Sequence, residues 1–213
     1  MTPEVRSALL LGLAASLSAA LLSLAAHWTR EPIAAARERA RLAPLLALVP
    51  GAGAPEQLSL HPLPVPPQFL AGLGLNEPEP AYQVRRGDAV LAVIVPTVSD
   101  QGYGGPIRLL VGIDPAGNIA AAAVVEQRET PGIGDRILAE KSDWIRVFTG
   151  RSRDDPPPAR WQVRGEGGAF DQITGATMSS RAVVRQVRRA LDYFHEDRQR
   201  LLAPPPAAGN PPP

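Results

Sequence analysis

The 213-residue chain contains no cysteine, so it builds no disulfide, iron–sulfur cluster, thiolate zinc site or cysteine nucleophile. That absence leaves the compartment open, because reducing and oxidising surroundings both tolerate it. Histidine is scarce: His27, His61 and His195 stand far apart, without partners at metal-ligand spacing. Any redox or metal chemistry must therefore come from a cofactor held by oxygen and backbone groups. Lysine is nearly missing as well. Lys141 is the one lysine among 22 basic residues, set against 21 acidic ones, and the net charge of +1 gives no reason to expect a nucleic-acid partner. There is no P-loop. Gly51-Ala52-Gly53, Gly72-Leu73-Gly74 and Gly102-Tyr103-Gly104-Gly105 lack the third glycine, or the strand-then-helix setting, of a dinucleotide fingerprint. A hydride-transferring dehydrogenase with its own NAD domain is disfavoured.

What the chain does have begins with residues 8–26, an uncharged run of Ala, Leu, Ser and one Gly between Arg6 and Arg30. As a helix it spans roughly 28 Å, close to the ~30 Å hydrocarbon core of a bilayer. Trp28 comes next, at headgroup level. A cleaved signal peptide, cut near Ser23-Leu24-Ala25, is the alternative; the length of the run favours a retained anchor. Counting Arg6 against Arg30, Arg37, Arg39 and Arg41 places the C-terminal part in the cytoplasm under the positive-inside rule. Glu31 and Glu38 offset that count, and a short tail before an apolar run also has the form of a signal-anchor, which exports the chain behind it. Composition leaves the side open.

The domain plan has four parts: residues 1–30 as tail and transmembrane anchor, 31–80 as a membrane-proximal helix and linker, 81–202 as one folded domain, and 203–213 as a disordered proline-rich tail. Within 31–80, residues 34–48 read as a short helix broken at Pro50-Gly51, and residues 51–67 as irregular linker. Residues 89–98 are rich in Val and Ile, as a buried strand is. Ile107, Leu109, Val111 and Ile113 alternate with Arg108, Leu110 and Gly112, the pattern of a strand with one face inward. Asp114-Pro115-Ala116-Gly117-Asn118 is turn chemistry, and residues 119–126 return as the partner strand. Residues 135–148 read as two short helices, 161–163 as a short strand, and 165–168 as its turn. Residues 180–202 carry Val183, Val184, Val187, Leu191 and Phe194 in one apolar stripe, with Ser179 or Ser180 as N-cap. His195 near its end reads as a solvated residue or a C-terminal dipole partner. Hairpin strands with interspersed helices predict an α+β fold with an antiparallel sheet and flanking helices.

The chemistry concentrates in Asp171-Gln172-Ile173-Thr174-Gly175-Ala176-Thr177-Met178-Ser179-Ser180. Four hydroxyl side chains gather at a helix start, with Gly175 and Ala176 leaving room for close approach. Free amides and the positive dipole end make such a place a ready anion site. Capping is the commoner reason for a Ser/Thr cluster there, and on physics alone both readings stand.

Asp171-x-x-Thr174-Gly175-Ala176-Thr177 matches the pattern at which a flavin transferase attaches FMN to the final hydroxyl. The chain resembles the FMN-binding domain shared by the G subunit of the Rnf ion-translocating electron transport complex and the C subunit of the sodium-translocating NADH:quinone reductase. Gly102-Tyr103-Gly104-Gly105-Pro106-Ile107, Glu129-Thr130-Pro131-Gly132-Ile133-Gly134 and Lys141-Ser142-Asp143-Trp144 look specifically like the Rnf protein, with Ile133 standing where leucine is expected. The resemblance implies FMN on Thr177 through a phosphodiester, and Thr174 bonding the phosphate or capping the helix. Gly175 and Ala176 would admit the ligand, and Asp171 would be read by the transferase or orient the loop. The turn from Glu129 to Gly134 would lie against the isoalloxazine, with Glu129, Thr130, Pro131 and Gly132 as its binding residues; Lys141, Trp144 and Tyr103 divide between flavin neighbour and core. No catalytic or metal-ligating residue is implied. The implied role is electron relay inside a ferredoxin:NAD oxidoreductase that moves Na⁺ or H⁺. The partners are the other membrane subunits and the transferase, and the single-pass chain would sit in the inner membrane with its domain in the periplasm. The competing readings are the quinone-reductase protein and an anchored binding or assembly domain without flavin.

Overall fold

The structure, a computed structural model, describes residues 48, 49 and 58–204. The expected anchor at residues 8–26, all but the last residue of the helix at 34–48, and the tail beyond residue 204 lie outside the described residues. Among the described residues no helix is long and apolar enough to cross a membrane.

Five antiparallel strands form a meander in chain order: β1 (Ser59–Pro64), β2 (Pro80–Arg86), β3 (Ala89–Ser99), β4 (Ile107–Ile113) and β5 (Ile119–Glu126). The β3, β4 and β5 strands and the turn between the last two fall where alternation and turn residues put them. The turn closes because Asp114 Oδ1 accepts the Asn118 amide at 2.8 Å. The two outer strands differ from the sequence reading. β1 lies inside the stretch read as linker, since Pro62 and Pro64 suggest irregular chain. An edge strand tolerates them, because one side of its backbone needs no ladder partner. β2 does not show as a strand in the sequence: Gln83 and Arg85 break its apolar pattern, yet both are buried. Gln83 is satisfied by donating to the carbonyls of Leu201 at 2.8 Å and Ala203 at 2.9 Å.

A short helix, α1 (Pro67–Leu73), links β1 to β2. Pro67 occupies its first turn and Gly74 its left-handed C-cap, with φ of 68°, the usual asymmetry of helix ends. The long helix α2 (Thr177–Glu196) crosses the front of the sheet, and α3 (Arg198–Leu202) succeeds it after a break at Asp197. Val93, Val95, Leu109, Val111 and Ile113 share one core with Val183, Val184, Val187, Leu191 and Phe194. Gln186 donates to the Thr97 hydroxyl, which donates to the Leu73 carbonyl at 2.9 Å, so one buried chain of hydrogen bonds ties α2, β3 and α1 together. On the reverse face Ala92 and Ile94 are also buried, which explains the near-continuous apolar run of β3. A Cβ at Gly112 would stand 2.6 Å from the Leu48 carbonyl oxygen, so glycine there admits the incoming chain against the sheet.

Residues 135–148 fold as two 3₁₀ turns, Gly134–Ile137 and Asp143–Phe148. The expected strand at 161–163 is only an isolated bridge, Val163 to Phe170. Its alternation has a different cause: Trp161 and Val163 are buried, and Phe148, Trp161 and Phe170 form an aromatic cluster with centroids 4.8–6.4 Å apart. The expected turn at 165–168 is a short 3₁₀ turn, Arg164–Glu166, closed by Gly167.

Tyr193 joins three helices. It is 3% exposed, meets Phe69 of α1 edge-on at 4.9 Å, and accepts a hydrogen bond from Arg200 of α3 at 3.1 Å. Burial pushes its phenol well above the usual tyrosine range, against the opposing pull of the Arg200 guanidinium. The unfolded chain loses this proton near the ordinary value of about 10, whereas the folded chain keeps it. Stability from Tyr193 is therefore complete below that pH and declines as pH rises past it. Urea titrations from pH 8 to 11 are expected to show this alkaline loss. Tyr193→Phe is expected to flatten it, by an amount on the order of 1 kcal/mol at pH 11.

Candidate functional site

The mouth of the site is set by where α2 begins. The helix starts at Thr177, not at Ser180, and Ala176 is its N-cap with no side-chain capping bond. Ser179 and Ser180, read as caps, are both buried within the first turn. Ser180 donates to the Ala176 carbonyl and accepts the Ile173 amide, each at 3.0 Å, a local back-bond that removes it from capping duty. The first amide of the helix to close an intrahelical bond is that of Ser180, onto Ala176. The amides of Thr177, Met178 and Ser179 precede it and have no partner within the helix. A missing cap costs roughly 1 kcal/mol. Each buried Val, Leu or Phe on the stripe contributes about 1.5–3 kcal/mol, so packing holds the helix without a cap. Its N-terminus is left free for an anion.

A cleft of about 540 Å³ opens at this point, lined by Tyr103, Glu129, Thr130, Ile133, Gly134, Gly175, Ala176, Thr177, Met178 and Ser179. Its volume lies within the roughly 300–1,000 Å³ of small-molecule sites. Three of its side chains are large, apolar and open to solvent: Tyr103 at 72%, Met178 at 49% and Ile133 at 46% exposed. Exposed apolar groups gathered around one opening mark a binding site. Gly175 adopts φ of 83°, and a Cβ there would stand 3.2 Å from Ile133 Cγ2. A larger residue would be strained and would also push the two loops apart.

Of the residues singled out in the sequence, Thr177, Ala176, Gly175, Glu129 and Thr130 line this cleft together. Pro131, Gly132, Asp171 and Thr174 do not. Pro131 and Gly132 form the exposed tip of a turn in which the Thr130 carbonyl accepts the Ile133, Gly134 and Asp135 amides at 3.2, 2.9 and 3.3 Å. Asp171 is paired with Arg164 at 3.0 Å, and its carbonyl accepts the Trp144 indole at 2.6 Å, so it braces the loop ahead of the helix. Thr174 is exposed and does not cap α2. Lys141 and Trp144 also lie off the cleft; Trp144 packs edge-on against Phe148 at 5.6 Å. Ile133 and Gly134 line the cleft as part of the 129–134 turn expected against the flavin, whereas sequence reasoning misses Met178 and Ser179 as lining residues. Helical spacing signals the last two once the helix starts at Thr177, because the first turn turns both toward the loop it faces.

Glu129 organises the floor. It is 5% exposed, accepts the Ser179 hydroxyl at 2.6 Å through Oε2, and accepts the Gly104 amide at 3.1 Å through Oε1. The glycines of both flanking loops fit around it. A Cβ at Gly102 would lie 2.6 Å from Glu129 Oε1, one at Gly104 1.9 Å from the Arg128 carbonyl, and one at Gly134 2.7 Å from Glu129 Cβ. The two glycine-bearing blocks that look separate in the chain are thus halves of one clasp.

The profile of the FMN-binding domain family matches residues 102–192, which contain every residue lining the cleft. A Pseudomonas aeruginosa protein, named as the G subunit of an ion-translocating oxidoreductase complex, is 45% identical over 208 residues, covering 97% of this chain and 95% of that protein. The protein of the same name from Cereibacter sphaeroides is 43% identical over 201 residues, covering 94% and 88%. That from Shewanella loihica is 38% identical over 201 residues, covering 94% of each.

A methyl group at Gly104 meets backbone, which cannot rotate away. Gly104→Ala is expected to destabilise the domain by about 1–3 kcal/mol, read as a lowered urea midpoint.

Proposed function

Because the chain belongs to the G-subunit family of ion-translocating oxidoreductase complexes, we propose that its cleft holds FMN covalently on Thr177 and that the flavin relays electrons within such a complex. FMN is the cofactor of this domain, and the chain is an electron-transfer flavin subunit that works with the other subunits of the complex. The observation that carries the covalent reading is the position of Thr177. Its half-buried hydroxyl opens a 20-residue helix that no side chain caps, at the edge of the cleft.

The residues present fit the group. A phosphate on the Thr177 oxygen would meet the free amides of Met178 and Ser179 and the positive end of the helix dipole, with no lysine needed. Gly175 and Ala176, which line the cleft, would keep the approach to Thr177 clear, and Thr174 would add a hydroxyl on the segment leading into the helix. Tyr103, Ile133 and Met178 offer apolar surface to a flat ring, and the loop of Thr130, Pro131 and Gly132 borders it. Asp171 steadies the segment that a transferase has to recognise. FMN supplies the electron-accepting and electron-donating chemistry; the protein holds it, orients it and limits its access to water. Esterification needs an activated phosphoryl donor, so the transferase would draw on a flavin nucleotide held as a pyrophosphate. Thr177 would supply the ester oxygen and give up its hydroxyl proton, the flavin-side phosphorus exchanging its P–O–P bridge for that oxygen while the other half of the pyrophosphate would depart as a nucleoside monophosphate.

Residues 8–26 would anchor the chain in the inner membrane, with the folded domain in the periplasm. Ion translocation supports a membrane setting, since moving an ion does work only across a barrier. By the resemblance drawn from its motifs, the complex exchanges electrons between ferredoxin and NAD. The relatives carry the G-subunit name, which favours this reading over the quinone-reductase protein.

Full-length protein from a host with the transferase is expected to fluoresce as flavin on a denaturing gel under ultraviolet light. Thr177→Ala is expected to lose that band entirely while keeping the thermal transition of the apo domain. A fluorescent band persisting in the variant would overturn the assignment to Thr177.

A further inference from the structure

Glu129 is a buried carboxylate whose role in the cleft is open. It lines the site, yet both of its oxygens are already engaged by the protein: Oε1 by the Gly104 amide and Oε2 by the Ser179 hydroxyl. Among the described residues no arginine or lysine forms an ion pair with it. A carboxylate buried without a cation is costly unless its hydrogen bonds are good and fixed. Here they come from opposite walls. Gly104 belongs to the loop between β3 and β4 that carries Tyr103, and Ser179 sits two residues beyond Thr177 on α2. Gly102, Gly104 and Gly134 leave no room for a Cβ beside Glu129 or the adjoining Arg128 backbone, so glycine at these positions lets both loops close on the carboxylate.

The geometry points to Glu129 as a positioning residue rather than a flavin ligand: its carboxylate bridges the Tyr103 wall to the first turn of α2 and thereby sets how the Thr177 hydroxyl is presented. This inference rests on the reading of the cleft as the flavin site. The bridge has a specific chemical requirement. A main-chain amide only donates, so the side chain at 129 must accept on the Gly104 side. A serine hydroxyl donates or accepts, so the other atom need not be an acceptor. Glutamine, oxygen toward Gly104 and amide toward Ser179, satisfies both; alanine satisfies neither.

The test uses full-length protein produced with the transferase, beginning with the wild type and Thr177→Ala. An unlabelled wild type would defeat the flavin reading itself, while leaving the bridge to be judged by amide exchange. Glu129→Ala is expected to lower covalent flavin at least tenfold, and to alter the flavin absorption envelope of whatever protein is labelled. It is also expected to speed hydrogen–deuterium exchange at least tenfold in peptides spanning Gly104 and residues 177–180. Glu129→Gln is expected to restore labelling to within about twofold of wild type, with a normal envelope and normal exchange. Gln83→Ala, remote from the cleft, serves as the control for lost stability. Four results would overturn the inference: wild-type labelling in Glu129→Ala, unchanged exchange at Gly104, a Glu129→Gln protein as defective as the alanine variant, or an equal loss of labelling in the control.

Discussion

The packing of α2 across the front of β3 and β4 is the constraint on which the rest of the structure depends. Val183, Val187 and Leu191 interlock with Val93, Leu109 and Val111 in one core, and the Gln186–Thr97–Leu73 chain of hydrogen bonds fixes where along the sheet the helix lies. Apolar packing alone tolerates sliding, because it is non-directional. A buried polar chain does not, since a shift leaves its groups unpaired at a cost of about 1–3 kcal/mol each. With the helix axis held in this way, the place of its first residue is set, and with it the edge of the cleft.

That first residue is where stability and function separate. A helix that drew its stability from its ends would need a capped N-terminus. This one draws it from a buried stripe, so its leading amides are available to an anion. The hydroxyls that look like caps are spent otherwise: Ser180 on the turn behind it, Ser179 on Glu129. The arrangement suits a group attached at Thr177, because the phosphate would take the role the absent cap leaves open. A flavin tethered there, as proposed, would be kept from leaving between electrons.

The strands that alternate cleanly, and the turn from Asp114 to Asn118, are legible from residue type because their neighbours in sequence determine them. β1 and β2 are not. Pro62 and Pro64 suggest irregular chain, and Gln83 and Arg85 suggest a solvated one. The first pair is tolerated at an edge, and Gln83 is satisfied by carbonyls of Leu201 and Ala203 that only the tertiary fold brings near. Residues 161–163 fail in the opposite direction: their alternation reflects burial of Val163 and of Trp161, the latter among aromatic rings, and a single Val163–Phe170 bridge stands where a strand pair is expected. In the site, the motif leading into Thr177 is readable, whereas the separation of Asp171 and Thr174 from the cleft is not.

The amino-acid sequence by itself determined the class of fold, the central hairpin, the apolar stripe of the last long helix and the hydroxyl-rich segment that opens that helix. These depend on periodicity, turn chemistry and a contiguous motif, all local quantities. The tertiary structure alone decided that the helix begins at Thr177 without a cap, and that Glu129 links Gly104 to Ser179. It also decided that Tyr103, Ile133 and Met178 surround one opening. Each of these joins residues that are distant along the chain, and their meeting is set by how the sheet and helix pack, which no local pattern encodes.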